Sequence, residues 1–299
     1  MRGVMRFGII PNTSKNEIVD VVNKFLEISL KYNFDYLIDE SIKQTDFIQS
    51  VFYDQSKICN LDELIKNSEI IVSIGGDGTM LTTAFEVYKY DKPMIGLNIG
   101  KLGFLAEFDL NNIESLFENI LSHKYEIDER IALTGKVLNN SDELFAVNDI
   151  VIDKGPYPKM IKITIEVDGN YVTTFTADGI IIATPTGSTG YSLSTGGPIV
   201  SPQADVITLS PISPHTLTMR HLVLSSQHKI RIKIDSVIPS IQINCDGQRV
   251  RNLSAPIKIE ISKSEKSIKL IHIKSNNYYE TLRKKLFWGI DIRNNKGDS

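Results

Sequence analysis

The sequence predicts two architectures in one chain: an α/β N-terminal domain with a mostly parallel sheet, then an all-β, sandwich-like C-terminal domain. Three observations carry this expectation. Through about residue 127, short apolar runs alternate with amphipathic stretches of helical spacing. After Arg130 the apolar period falls from 3.6 to 2. The length of 299 residues suits two domains at about 150 residues each. The expected boundaries are 1–127 for the α/β domain, 128–275 for a β-rich domain, and 276–299 for a terminal helix and tail packing back on the body.

In order along the chain, Phe7 to Ile10 is the first strand candidate, closed by Pro11. Ser14 to Tyr32 reads as a helix, with Ile18, Val21, Val22, Phe25, Leu26 and Ile28 on one face and Ser14 placed to cap it. Glu69 to Ile74 is a compact buried strand ending at Gly75, and Met80 to Tyr90 returns to helical spacing. Pro93 to Ile99 is a further strand and Ile113 to Leu121 a further helix. In the second half, Ile161, Ile163, Ile165 and Val167 alternate with polar residues up to the Asp168-Gly169 turn, the pattern of a hairpin. The alternation returns at Lys229 to Ile234, Ile241 to Cys245, Pro256 to Ser262 and Ser267 to Lys274, all assigned to the β-rich domain. Tyr278 to Trp288 reads as a terminal helix.

Composition narrows the function classes. Thirty-three Lys and Arg against 36 Asp and Glu give a net charge of −3, which supplies no basic field for nucleic acid or anionic lipid. No apolar stretch reaches membrane-spanning length, and the apolar run at the N-terminus is too short for a signal peptide. Cys59 and Cys245 stand far apart with no C-x-x-C spacing, so a cytoplasmic protein without a disulfide scaffold is expected. His215 and His221 lack a third ligand at zinc spacing, and Arg283-Lys284-Lys285 reads as a solvated helix face. No residue set is assigned to a resident metal.

Two clusters carry chemistry. Gly75-Gly76-Asp77-Gly78-Thr79 lies where a strand turns into a helix, at the sheet edge where ligands of open α/β folds bind. Its glycines permit close backbone approach, and helix-start amides favour phosphate. Asp77 would repel phosphate unless it pairs with a metal or takes a proton from an attacking hydroxyl. The alternative is a tight turn in which Asp77 caps the helix. The second cluster runs from Asp178 to Pro198, where hydroxyls and glycines follow a buried strand. Such groups suit nucleotide edges and sugars, and Tyr191 could stack on a base; the alternative is a polar surface loop. Leu97 to Phe104 lacks the G-x-G-x-x-G spacing but is a strand-end loop placed to wall the site.

GGDGT at Gly75, Asn148-Asp149 after an apolar run, DGIIIATPTGSTGYSLSTGGPIVSP from Asp178 and SPISPHTLTMRHLVL from Ser210 together resemble the NAD kinase family across nearly the whole chain. GGDGT by itself also occurs in lipid kinases and 6-phosphofructokinases; the block from Asp178 is the specific feature. The resemblance implies an interdomain site, magnesium-dependent transfer from ATP to the adenosine ribose 2′-hydroxyl of NAD, and a homo-oligomer, dimer or tetramer. Carried over by position, Asp77 is the proton acceptor with Gly78 beside it. Asn148, Asp149, Lys159, Thr176, Asp178, Gln248 and the run Thr189, Gly190, Tyr191, Ser192, Leu193 and Ser194 contact NAD. Asp149 replaces a commoner Glu, and Lys159 a commoner His or Arg. The neutral Thr176 implies use of NADH as well as NAD. No Walker A motif is present, so Gly75, Gly76, Gly78 and Thr79 are the candidate ATP-phosphate donors. A lipid or polyol kinase would leave the block from Asp178 unexplained, and a non-catalytic NAD sensor would leave Asp77 unexplained.

Overall fold

Alternation of strand and helix builds the first half of the chain. In the computed structural model, which describes residues 5–100, 103–138, 142–237, 239–273 and 277–288, β1 (Arg6–Pro11) leads into α1 (Ile18–Lys31), then β2 (Asp35–Asp39) and β3 (Ile58–Cys59). There follow α2 (Leu61–Lys66), β4 (Ile70–Gly75), α3 (Asp77–Val87), β5 (Met94–Asn98), α4 (Ile113–Leu121) and β6 (Glu126–Arg130). The helix expected from Ser14 starts only at Ile18. The Ser14 hydroxyl donates to Asn12 Oδ1 at 2.7 Å, so it closes a turn and does not cap α1.

The remaining strands are β7 (Leu133–Val137), β8 (Glu143–Ala146), β9 (Asp149–Asp153), β10 (Ile161–Val167), β11 (Asn170–Ala177), β12 (Gly179–Ala183) and β13 (Val206–Ile212). A single-turn α5 (Tyr191–Ser194) separates the last two. Then come β14 (Leu222–Ser225), β15 (Ile230–Asp235), β16 (Ile241–Cys245), β17 (Arg249–Leu253), β18 (Ile257–Lys263), β19 (Ile268–His272) and α6 (Tyr278–Leu286).

Three sheets result. The first has the order β3-β2-β1-β4-β5-β19-β6, and its pairings from β3 through β19 are parallel. The chain leaves β1 toward β2 and β3, then returns to place β4 on the other side of β1. The topological switch point therefore lies between β1 and β4, and the Gly75–Thr79 turn follows β4 directly. Strand β19 corrects the expectation for Ser267 to Lys274. Its alternation resembles that of the antiparallel strands, yet Leu270 pairs in parallel with Met94, and Ile271 and Ile273 enter the core of the first sheet. Period two reports a strand, not which sheet takes it.

The other two sheets are antiparallel, with orders β11-β10-β15-β18-β7-β8 and β14-β13-β12-β9-β16-β17. Alternate isoleucines fill the space between them: Ile161, Ile163 and Ile165 of β10 share one core with Ile180 and Ile182 of β12 and Ile150 and Ile152 of β9. Chain contacts divide the molecule into two units, Met1–Thr83 with Lys92–Asp128 and Lys269–Ser299, and Ala84–Asp91 with Glu129–Ile268. No described helix is long and apolar enough to cross a membrane. Lys101 and Leu102 of the strand-end loop, Lys274 of the last alternating run, and the tail 289–299 lie outside the described residues.

Candidate functional site

In the first unit the site is built on the carboxyl end of β4. Helix α3 begins at Asp77, its first internal bond running from Met80 N–H to Gly76 C=O, so the positive end of the helix sits at the glycine turn. The Asp77 side chain does not cap α3. It crosses to the strand-end loop after β5, where Leu105 and Ala106 N–H donate to Oδ1 at 2.9 and 3.0 Å and Phe104 N–H donates to Oδ2 at 2.9 Å. The contact is tight enough to require glycine at 103, since a Cβ there would lie 1.9 Å from Asp77 Oδ1. The strand-end loop thus does wall the turn.

Neighbouring strands supply further groups. Asn12, just past β1, donates from Nδ2 to Thr79 Oγ1 at 3.0 Å, and its own N–H reaches Ile74 C=O. This joins the two strand ends across the switch point. Lys285 of α6 places Nζ 3.5 Å from Asp77 Oδ2, so the basic run Arg283-Lys284-Lys285 is not simply a solvated face. Lys284 does pair outward, with Glu280. Sequence does not mark Asn12 and reads Lys285 as part of a solvated face, because nothing local marks a residue whose partner is 67 or more positions away.

In the second unit, Asn148, Asp149, Gly190, Tyr191, Asn244, Asp246 and Gly247 gather around a cleft of about 280 Å³. Asp246 is its keystone. The β16–β17 hairpin turns through Asp246 and Gly247 with positive φ at both, the type I′ geometry that Asp-Gly favours. That turn drives the Asp246 carboxylate, fully buried, under the chain entering β9. It accepts N–H bonds from Val147, Asn148 and Asp149 at 3.1, 2.7 and 3.3 Å and pairs with Arg249 at 2.8 Å. The Asp-Gly turn itself was the sequence signal for this residue, which the motif reading passed over in favour of Gln248.

Asp149 lies 5% exposed in the same cluster, and its carboxyl has no hydrogen-bond partner among the described residues. Burial, reinforced by the neighbouring Asp246 charge, pushes its pKa up to about 7. Burial also raises Asp246, but the amides and Arg249 oppose that shift, so the proton of the pair resides on Asp149. Beside it the buried Oδ1 atoms of Asn148 and Asn244 have no hydrogen-bond partner among the described residues. The cleft therefore offers unsatisfied acceptors and a carboxyl able to donate, a pattern that recognises a ligand carrying both donors and acceptors.

The hydroxyl-rich segment after β12 holds itself in place more than it reaches outward. Thr184 Oγ1 donates to Val147 C=O and accepts from Gly187 N–H; Ser188 Oγ accepts from Val200 N–H; Ser192 and Ser210 share a buried bond of 2.9 Å. A Cβ at Gly187 would meet Asn148 C=O at 2.1 Å, so glycine lets this segment press against Asn148. The result is that Gly190 and Tyr191, the latter 47% exposed, face the cleft while Ser192 is turned into the protein. Thr189 donates to Thr186 C=O, and Ser194 is exposed.

The other expected contacts are not among the residues that line this cleft. Asp178, just before β12, is paired with Lys154 at 2.8 Å, and its charge acts on Asp153, which does line the cleft. Thr176 on β11 lines a separate cleft with His215, Thr216 and Met219. Lys159 is exposed in the segment between β9 and β10, and Gln248 is exposed directly after the Asp246-Gly247 turn. Among the described residues no three His, Cys, Asp or Glu side chains cluster as metal ligands.

The chain is also similar to known proteins over both units. Residues 7–125 match the profile of the ATP-NAD kinase N-terminal domain and residues 147–273 that of the C-terminal domain. An NAD kinase from Natranaerobius thermophilus is 35% identical over 289 residues, covering 95% of this chain and 99% of that protein. One from Clostridium botulinum is 39% identical over 281 residues, covering 93% and 95%. The crystal structure of yeast NADH kinase complexed with NADH superposes with a TM-score of 0.86 at 25% identity, covering 97% of this chain and 89% of that one. An Archaeoglobus fulgidus NAD kinase in complex with ATP gives 0.72 at 26% identity, covering 95% and 99%. Spanning both units, these likenesses show that the chain belongs to the ATP-NAD kinase family of enzymes.

Proposed function

We propose that the enzyme transfers the γ-phosphoryl group of ATP to the adenosine ribose 2′-hydroxyl of NAD, giving NADP and ADP, with Asp77 as proton acceptor. The observation that carries this is the position of Asp77: a lone carboxylate at the switch point, beside a helix start suited to phosphate, held by three loop amides. Phosphoryl transfer needs positioning, charge neutralisation and a group to orient the attacking hydroxyl. The 2′-oxygen forms a bond to the γ-phosphorus, the bond from that phosphorus to ADP breaks, and the hydroxyl proton passes to Asp77. Oδ1 already accepts two N–H groups, whereas Oδ2 accepts one and has Lys285 Nζ only at 3.5 Å, so Oδ2 is the atom with room for the proton.

Magnesium enters as part of the donor substrate. An ion of this kind keeps several waters and would be held here mainly by the substrate phosphates, which leaves Asp77 to the hydroxyl. The ion supplies neutralisation of charge on the phosphates. Gly75, Gly76, Gly78 and Thr79 approach the donor phosphates with backbone and hydroxyl, Thr79 being fixed by Asn12. In the second unit, Asn148, Asp149 and Tyr191 hold the dinucleotide in the Asp246-supported cleft. Thr176, Asp178, Lys159 and Gln248 stay assigned to further NAD contacts on the resemblance. The relatives named for NAD and NADH and the neutral Thr176 together support use of both redox forms. The free cysteines and the family resemblance support a cytoplasmic homo-oligomer.

The test is to incubate the purified protein with NAD, ATP and magnesium and to detect NADP with a strictly NADP-dependent dehydrogenase; no NADP above an Asp77→Asn control overturns the reading. Running NADH in parallel, with wild type and Thr176→Arg, tests the redox preference. Comparable wild-type kcat/KM values are expected, with NADH use falling in the Arg variant. A preference for NAD beyond about 100-fold, ~2.7 kcal/mol, removes Thr176 from that role.

A further inference from the structure

We infer that Lys285, on the C-terminal helix, is a donor-phosphate-binding residue that supplies the positive charge a Walker A lysine supplies in P-loop enzymes. The inference rests on the kinase reading and concerns the donor half of the site. Three observations meet at this side chain. Lys285 Nζ lies 3.5 Å from Asp77 Oδ2 and 5.0 Å from the centre of the Phe104 ring, so it stands over both the carboxylate and the loop that holds it. At 3.5 Å the pair is longer than a charge-assisted hydrogen bond of about 2.7–2.9 Å, which leaves the ammonium able to direct donors elsewhere. Asp77 is also held by three amides, so its position does not depend on the lysine.

The helix is built to deliver this residue. Asn277 caps its start by accepting from Tyr279 N–H, and Phe287 ends it in a left-handed conformation with its N–H on Arg283 C=O. Tyr278, Leu282 and Lys285 fall at i, i+4 and i+7, one face of the helix. Leu282 is 3% exposed, and the Tyr278 ring packs 6.2 Å from Phe104. On this face the third position would ordinarily be apolar, and a lysine there is anchored by its stem while its head reaches the glycine turn. Lys284, one residue earlier, points to Glu280 and serves as the built-in control.

The experiment measures binding of a magnesium complex of a non-hydrolysable ATP analogue by calorimetry, without NAD, to wild type and to Lys285→Met, Lys285→Arg and Lys284→Met. Methionine retains the apolar stem, so the helix face keeps its packing. The expected result is a 10- to 100-fold weaker Kd in Lys285→Met, recovery to within fivefold in Lys285→Arg, a Kd unchanged in Lys284→Met, and a KM for NAD within twofold of wild type in all three. A loss under fivefold in Lys285→Met overturns the proposal, as does an equal loss in KM for NAD. Because nucleotide binding is read without turnover, failure here is distinct from a wild type that binds the analogue but makes no NADP.

Discussion

Two carboxylates, Asp77 in the first unit and Asp149 in the second, face opposite demands, and each predicts its own variant. Asp77 accepts three N–H groups, and in Asp77→Asn the amide nitrogen has to confront at least one of those donors. We expect turnover about 100- to 10,000-fold lower, the scale of a lost general base, together with a Tm lowered by several degrees. Near-wild-type kcat would remove the proton-acceptor role. Asp149 is the reverse case. Its pKa is raised to about 7, chiefly by burial and then by Asp246, so between the unfolded value near 3.8 and 7 the folded state binds more protons than the unfolded chain. Its contribution to stability is therefore full below pH 4, falls as pH rises to about 7, and is flat above. Asp149→Asn removes that slope, so urea unfolding should show the variant gaining on wild type by a few kcal/mol between pH 4.5 and 8. Parallel pH profiles would show that Asp149 is ionised throughout. Residues whose chemistry is local were legible in sequence, Asp77 in its glycine turn above all. Asp246, Asn12 and Lys285 were not, because each acts on a partner brought in by another element.

At the scale of elements, the segment after β12 shows why a motif can be read correctly and its side chains misjudged. Its density of hydroxyls reads as ligand-binding, yet Thr184, Ser188 and Ser192 bond to the protein and fix the backbone between β12 and α5. What this rigidity presents to the cleft is Tyr191. Tyr191→Ala is expected to raise KM for NAD by about 10- to 100-fold, corresponding to the ~1–3 kcal/mol of stacking on a base, with the KM for ATP within twofold of wild type. A rise in KM for ATP alone would assign the ring to the donor. Helix α4 and strands β10, β15 and β18 were legible because their apolar period is sustained over a whole element. The start of α1 was not: six polar residues, Asn12 to Glu17, precede Ile18, and which of them starts the helix depends on Asn12, which draws Ser14 into its own turn.

At the scale of the whole molecule, the chain order and the folding units do not coincide. All twelve strands of the two antiparallel sheets, β7 to β18, lie between residues 131 and 268. The parallel sheet, by contrast, takes β19 from beyond them, and β19 stands between β5 and β6. A fragment of residues 1–130 therefore leaves the β5 edge unpaired and β6 without its neighbour. It also strips Ile271 and Ile273, 3% and 5% exposed in the intact chain, from the core. Each of those side chains is worth roughly 1.5–3 kcal/mol, a large part of a marginal total, and an open apolar edge templates aggregation. The fragment 131–268 keeps every strand pair of its sheets; it gives up the cover of Tyr88, stacked 3.9 Å from Phe145, and of Phe85, together with the bonds from Lys266 to Lys89 C=O and from Ser267 to Glu129. We expect 131–268 to unfold cooperatively on heating, 1–130 to aggregate, and a fusion of 1–130 to 269–288 through a glycine-serine linker to recover a cooperative transition. Circular dichroism melts of the three proteins decide this: a cooperative melt of 1–130 alone, at the Tm of the fusion, would show that β19 is dispensable to the first sheet.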